Sequence, residues 1–470
     1  MRSAHMASSS WKRRAEGVAM EKHADFIRVK GKQFTYRGER IRLRGFGIGT
    51  WLNLEHFMMG LPTPDEMLRQ AFLEVYGKAE QEAFFKAFQK SFIGEADFAL
   101  LKECGVNFVR VPFSYRLFID DNDDSSYREE GFACFDRLFA LGRAYQIFIM
   151  PDLHGTPGGQ NPDWHSDNSL GVPLFWKYQS FRRQMTKLWG EIARRYRNEP
   201  YLMGYDLLNE PAMANWSAIN EYYAETIAAI REVDRNHVIV LEGDLFSMDF
   251  SGLKHFEDPQ TALGFHYYPT VWEPKLLELS LDRGVRKAQI AEGLDKLLAV
   301  KDVFERPAFC GEFGYGVDCG EPEFVRELLE DTLDLMEGRS MDWCLWCYKD
   351  AHFMSLLSPK RGGHWMTLAD KAGQRWNQDI EKFHARELLR LVKKEWFPEM
   401  TEQDAYLLQF RLRACLYMLQ KDYICKPLLE EIPKEKRLSY AESFAYENCE
   451  IDEELRSVVK GYLLYDQRTD

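Results

Sequence analysis

Eight short apolar runs, each followed by a loop and then a longer stretch of helical period, constrain this chain more than any other feature of its sequence. The runs are Ile41 to Gly47, Val106 to Phe113, Ile147 to Leu153, Tyr201 to Leu208, His237 to Glu242, Ala262 to Tyr267, Pro307 to Glu312 and Met341 to Cys347. They are rich in Val, Ile and Phe, as strands of a sheet covered on both faces are. Between them lie amphipathic stretches such as Phe132 to Tyr145, Leu174 to Arg197, Ala218 to Asp234, Val285 to Val300 and Pro322 to Met336. Strands alternating with crossover helices make a parallel sheet. Eight such units in a chain of 470 residues predict that the sheet closes, so the expected fold is α/β, a (β/α)₈ TIM barrel.

The remaining segments divide the chain. Residues 1–20 open with MRSAHMASSS, which reads as a cloning remnant or disordered tail, and the barrel is expected over 21–375. Residues 376–470, rich in Glu and Lys at helical period, are expected to supply the last barrel helix and a helical extension. Thr63 to Phe92 also has helical period, and predicts an insertion after the first strand that narrows one side of a pocket at the barrel mouth.

Charge and composition limit the partners. With 74 acidic against 61 basic residues the formal charge is −13, which argues against nucleic acid or an anionic membrane surface and favours a neutral ligand. Aromatic residues make up 14% of the chain, and although most belong to the core, flat side chains of this kind also hold sugar rings. Nine scattered cysteines, an odd count, predict reduced thiols and a cytoplasmic location. Cys344 and Cys347 have the spacing of a metal or redox pair, yet no second pair or histidine follows at ligand distance, so no metal or other cofactor is expected. No run of 18 apolar residues is present, so no membrane span is predicted; the chain is expected to act as a monomer.

In a barrel of this kind the C-terminal strand ends converge on one face, so residues far apart in sequence meet there. Reading off the polar and aromatic residues at those ends gives Arg110, His154, Asn209, Glu210, His266, Tyr268, Glu312 and Trp346. Two of them are carboxylic acids, each where a strand gives way to a loop. Cleavage of a glycosidic bond needs such a pair: one acid protonates the leaving oxygen, and the other attacks C1 or activates water. A separation of roughly 5 to 5.5 Å implies attack with retention of configuration. Glu210 as acid needs surroundings that raise its pKa, whereas Glu312 as nucleophile must stay ionised, as Arg110 nearby would ensure.

Taken together, Arg110 in RVPF, His154 in DLHG, Asn209-Glu210-Pro211, His266 and Tyr268 in HYYP, Glu312 in GEFG and Trp346 in WCLWCYKD resemble glycoside hydrolase family 5 over about Ile41 to Asp350. That resemblance implies Glu210 as acid/base, Glu312 as nucleophile and Asn209 as donor to the sugar 2-hydroxyl. It further implies that Arg110 and Tyr268 orient Glu312, that His154 and His266 line the site, and that Trp346 stacks beneath the sugar. Gly49 to Glu55 and Asp152 to Asn161 are similar to the exo-β-1,3-glucanase and β-glucosidase branch, in which the residue matching Glu55 binds hydroxyls of the terminal glucose and closes the pocket. The implied partner is an oligosaccharide or β-glucoside. An endo-β-1,4-glucanase, or an enzyme for glycolipid or aryl glucosides, is the alternative within the class, and a non-catalytic sugar-binding barrel the alternative outside it.

Overall fold

The computed structural model describes residues 25–123 and 125–464, so the expected tail over 1–20 lies outside the described residues. Three short strands come first, β1 (Ile27–Lys30), β2 (Gln33–Tyr36) and β3 (Glu39–Arg40), and pair as an antiparallel sheet. Eight parallel strands follow: β4 (Arg44–Gly47), β5 (Phe108–Ser114), β6 (Phe148–Gly155), β7 (Gly204–Asp206), β8 (Val238–Glu242), β9 (Thr261–Tyr267), β10 (Ala308–Phe313) and β11 (Asp342–Leu345). They close in chain order into a barrel, β11 pairing with both β10 and β4. Every residue of β5 to β10 is buried, because helices cover the outside and side chains fill the inside.

The β1–β3 sheet was not legible in the apolar runs, since its strands are two to four residues long and half exposed. It plugs the N-terminal end of the barrel. Ile27 and Phe34 pack with Leu43, Phe108, Phe148, Met203, Val238 and Phe309 in a cluster of their own, with Phe34 edge-on to Phe309 at 6.5 Å. The C-terminal end is thereby left as the only open mouth of the barrel core among the described residues, which is where a barrel places its site.

Additions to the barrel sit differently from the expected order. The helix that closes the ring is Glu453–Leu463, near the end of the described chain. It is wedged between the helices Glu95–Glu103 and Pro322–Gly338: Arg456 reaches Glu103 at 2.6 Å, and Tyr462 Oη reaches Asp334 at 2.6 Å. The helical additions therefore precede the last barrel helix, as one long excursion over 346–452 between β11 and that helix. The chain leaves the barrel at its catalytic-face end and returns, so the excursion stands beside the mouth.

The insertion after β4 forms the helices Asp65–Tyr76 and Lys78–Phe92, as the periodicity predicts, but none of its residues lines the pocket. Its apolar face instead supports the excursion. Phe92 stacks on Phe444 at 5.4 Å, Tyr76 donates to the Leu429 carbonyl at 2.7 Å, and Lys421 and Lys426 both pair with Glu74. A buried ion pair, Lys349 to Asp97 at 2.7 Å, ties the start of the excursion to the first barrel helix. The pocket is narrowed by the residues that this layer carries, Phe353, Met354, Lys382 and Tyr406, and by Phe57 of the short helix His56–Met59. All nine cysteines are free, and Cys344 and Cys347 are buried at the end of the last barrel strand.

Candidate active site

A cavity of about 220 Å³ opens at the C-terminal face of the barrel. Of the sequence-derived candidates, Glu55, His154, Glu210, His266, Tyr268, Glu312 and Trp346 line it, while Arg110 and Asn209 lie fully buried directly beneath. All of them come together. One carboxylate oxygen of Glu210, one of Glu312 and a ring nitrogen of His266 lie within 4.8 Å of each other.

Arg110 organises the floor. Its guanidinium donates to Glu312 at 2.6 Å, Asp206 at 2.8 Å, Asn209 at 2.8 Å and Glu242 at 3.0 Å, and stands 3.2 Å from Asp152. These partners sit on or just beyond four strands, β6, β7, β8 and β10, and the planar fork of an arginine reaches them together as a lysine could not. Glu312 receives a second bond, from the Tyr268 hydroxyl at 2.9 Å, so both of its oxygens are fixed. On the other side of the cavity the Glu210 carboxyl lies 2.6 Å from His266 Nδ1 and 3.0 Å from His165 Nε2. Glu210 adopts a left-handed backbone conformation, φ 49°, held by a bond from its N–H to Glu242 at 2.7 Å. That sharp turn just beyond β7 aims the carboxyl into the barrel axis.

Six buried carboxyls, those of Glu55, Asp152, Asp206, Glu210, Glu242 and Glu312, share this region with one guanidinium. They cannot all be ionised in so dry a place. Burial pushes Glu55 and Asp152 well above the ordinary carboxylate range and Asp206 up to about 8. Burial alone would lower His266 and His165, but the acidic groups around each outweigh it and hold both well above the usual imidazole value. His154 is pushed well down by burial, with His165 and Arg110 adding to it, and its Nδ1 lies 2.8 Å from Asp152. Burial pushes Glu210 up as well, yet His266 and His165 prevail and keep it below the ordinary range. In Glu312 burial, reinforced by Glu210 and Glu242, outweighs His266 and Arg110, and the group ends raised.

Besides Asp206 on the floor, two elements of the site went unread in the sequence, Glu242 and His165. Glu242 ends β8, the one strand between the second and the eighth that contributed no candidate, and its position alone would have named it. It joins Arg110, the Glu210 backbone and the Ser247 hydroxyl. His165, in the loop after β6, follows no strand-end rule and carried no signal.

Trp346 forms a wall of the cavity, parallel to the His154 ring with centroids 5.8 Å apart. It packs directly on Gly47 and Gly49, where a Cβ would overlap the indole. Gly47→Ala is therefore expected to push Trp346 into the cavity, raising KM about tenfold or more while costing on the order of 1–3 kcal/mol of stability, by the usual penalty of overpacking. Steady-state kinetics alongside a denaturation curve measure both; unchanged KM with normal folding would contradict the packing.

Glu210, His266 and Glu312 offer ligand atoms close enough for a metal ion. The fit is poor. Glu312 already has both oxygens engaged by Arg110 and Tyr268, and the raised His266 presents a proton where a ligand must present a lone pair.

Comparison with known proteins agrees with this geometry. A family model described as cellulase, glycosyl hydrolase family 5, matches residues 76–352. The β-xylosidase of Phanerodontia chrysosporium is 30% identical over 90% of this chain and 95% of its own length. The probable glucan 1,3-beta-glucosidase A of Aspergillus fumigatus is 25% identical over 68% of this chain and 85% of its own. Among solved structures, endoglucanase Cel5A from Thermotoga maritima covers 72% of this chain and 94% of its own with a TM-score of 0.51; at 16% identity it speaks for the barrel fold. The chain is a glycoside hydrolase, an enzyme built on a (β/α)₈ barrel. It belongs to glycosyl hydrolase family 5.

Proposed function

We propose that the enzyme is a retaining, exo-acting β-glucosidase or β-glucanase that releases terminal glucose by double displacement. The observation that carries this reading is the approach of Glu210 and Glu312, with oxygens within 4.8 Å across the cavity, which suits direct attack and leaves too little room for an intervening water. Glu210 gives its proton to the glycosidic oxygen as that oxygen departs with the C1–O electron pair, and a Glu312 oxygen bonds C1. Water then attacks C1, its proton passing to Glu210, and Glu312 leaves with its electron pair. Arg110 and Tyr268 hold Glu312 in line, and Asn209, fixed by Arg110, faces the sugar from below.

Exo action is supported by Glu55. It is buried at 3% exposure in the cavity wall, 3.5 Å from His154, and its Oε1 has no hydrogen-bond partner among the described residues. A buried acceptor left open in a pocket is matched by a sugar hydroxyl. Glu55→Gln is accordingly expected to lower kcat/KM on β-glucosides about 10-fold, because an amide N–H replaces one of the two carboxyl oxygens that meet the sugar hydroxyl. An unchanged kcat/KM would remove Glu55 from sugar recognition.

Products formed over time from laminari-, cello- and gentio-oligosaccharides test the whole reading. Glucose appearing first and alone supports exo action; early mixtures of longer fragments favour the endo-β-1,4-glucanase alternative. The relation to a protein named β-xylosidase over nearly the full length makes aryl β-xyloside the necessary second substrate beside aryl β-glucoside. We further propose, from the reduced cysteines, a cytoplasmic enzyme; among the described residues no helix is long and apolar enough to cross a membrane.

A further inference from the structure

Glu210 is flanked by two imidazoles, of which only His266 belongs to the strand ends. The second, His165, sits in the short turn Trp164–Ser166, with its carbonyl bound by Asn53 Nδ2 at 2.8 Å. Its Nε2 lies 3.0 Å from Glu210 Oε2 and 2.8 Å from Asn161 Nδ2, and its Nδ1 lies 3.4 Å from Asp163. Asn161 is itself fixed, since the same amide nitrogen donates to the Glu210 carbonyl at 2.9 Å. The Nε2 atom thus has a partner in either protonation state: protonated, it donates to Glu210, and bare, it accepts from Asn161. A histidine that served packing alone would need only one of these.

We propose that His165 is the proton store of the acid/base, so that His165 and Glu210 hold one proton between them and act as a single acid. This rests on Glu210 being the acid/base. In the free enzyme the proton resides on His165 and Glu210 is ionised. When a glycoside binds and water leaves the cavity, the proton moves from Nε2 to Glu210 Oε2, and His165, now neutral, takes the Asn161 N–H. Glu210 delivers a proton to the departing oxygen; in the second step the attacking water returns one to Glu210, and it passes back to Nε2. No proton is gained or lost over the cycle.

The groups that face His165 favour such a store. Asp163 approaches from its own loop, Glu210 from the end of β7, and His154 on β6 with ring centroids 5.7 Å apart. Glu55 and His56 act on it from the segment after β4, and His266 stands beyond Glu210. Tyr406 of the excursion adds a hydroxyl near Asp163 and Glu210. Of the histidines in this set, His154 and His56 are pushed down by burial and are neutral, so acidic groups dominate around His165 and the imidazolium is the resting form.

The test compares His165→Gln and His165→Asn with wild type on two glycosides of the same sugar. A methyl glycoside needs protonation of its leaving oxygen, and a 2,4-dinitrophenyl glycoside does not. Expected at pH 7 is a fall of about 10- to 100-fold in kcat/KM on the methyl glycoside, within the span of general acid catalysis, and less than about threefold on the dinitrophenyl glycoside. The basic limb of the methyl-glycoside profile should move to lower pH, because the last proton then sits on a carboxyl instead of an imidazole. Equal losses on both substrates, or a basic limb that stays in place, would overturn the proposal. Wild type inactive on both would overturn the glycosidase reading itself.

Discussion

Glu312→Ala is expected to lower kcat/KM on an aryl β-glucoside by about 10⁵-fold, since the covalent step has no substitute once its nucleophile is gone. The protein should stay folded, because Arg110 keeps Asp206, Glu242, Asn209 and Asp152 as partners. Stability is expected to rise slightly if it changes at all, as one of the crowded buried carboxyls has been removed. Adding azide should restore turnover, because a small anion fits where the carboxylate stood, and the product should be the α-glycosyl azide. A loss of only a few fold would reject Glu312 as nucleophile.

Arg110→Met is expected to be destructive in two measurable ways. Removing one partner from a buried ion network costs on the order of 3–5 kcal/mol, since the other charges stay behind unpaired. Here the stranded groups are the carboxyls of Glu312, Asp206, Glu242 and Asp152, all buried. Chemical denaturation should show that loss, and activity should fall with it. The direction on pH follows from the charge. Without the guanidinium the ionised form of Glu312 is disfavoured, its pKa rises further, and the acidic limb of kcat/KM moves to higher pH. Wild-type stability together with an acidic limb that does not move would show that Arg110 does not hold Glu312 in its charged form.

Much of this arrangement was legible in the sequence for one geometric reason. A closed barrel converts the end of each strand into a seat around one axis, so locating eight apolar runs also located Arg110, His154, Glu210, His266, Glu312 and Trp346. The same reasoning stopped where position no longer follows from period. His165 lies in an irregular loop whose path depends on Asn53 donating to the His165 carbonyl and on Asn161 accepting from the Asp163 N–H, a tertiary arrangement with no pattern in one dimension. Which helix of 376–470 closes the ring was not legible for a related reason: several amphipathic helices follow β11, and only contact with Glu103 and Asp334 distinguishes Glu453–Leu463 as that one. The expectation of an acid with a raised pKa also treated Glu210 alone. Its two histidine neighbours reverse the direction, and under the proposal for His165 the acid's proton resides on that imidazole until substrate arrives.

Exposure of the enzyme to a 2,4-dinitrophenyl 2-deoxy-2-fluoro-β-glucoside, followed by mass spectrometry of its peptides, tests the double displacement most directly. Fluorine at C2 slows the second step, so the sugar should remain attached. One added fluoroglucosyl group per chain, on the peptide that carries Glu312, is the predicted result. An unlabelled chain under conditions where the fluorosugar occupies the site, or a label on any other residue, would contradict it.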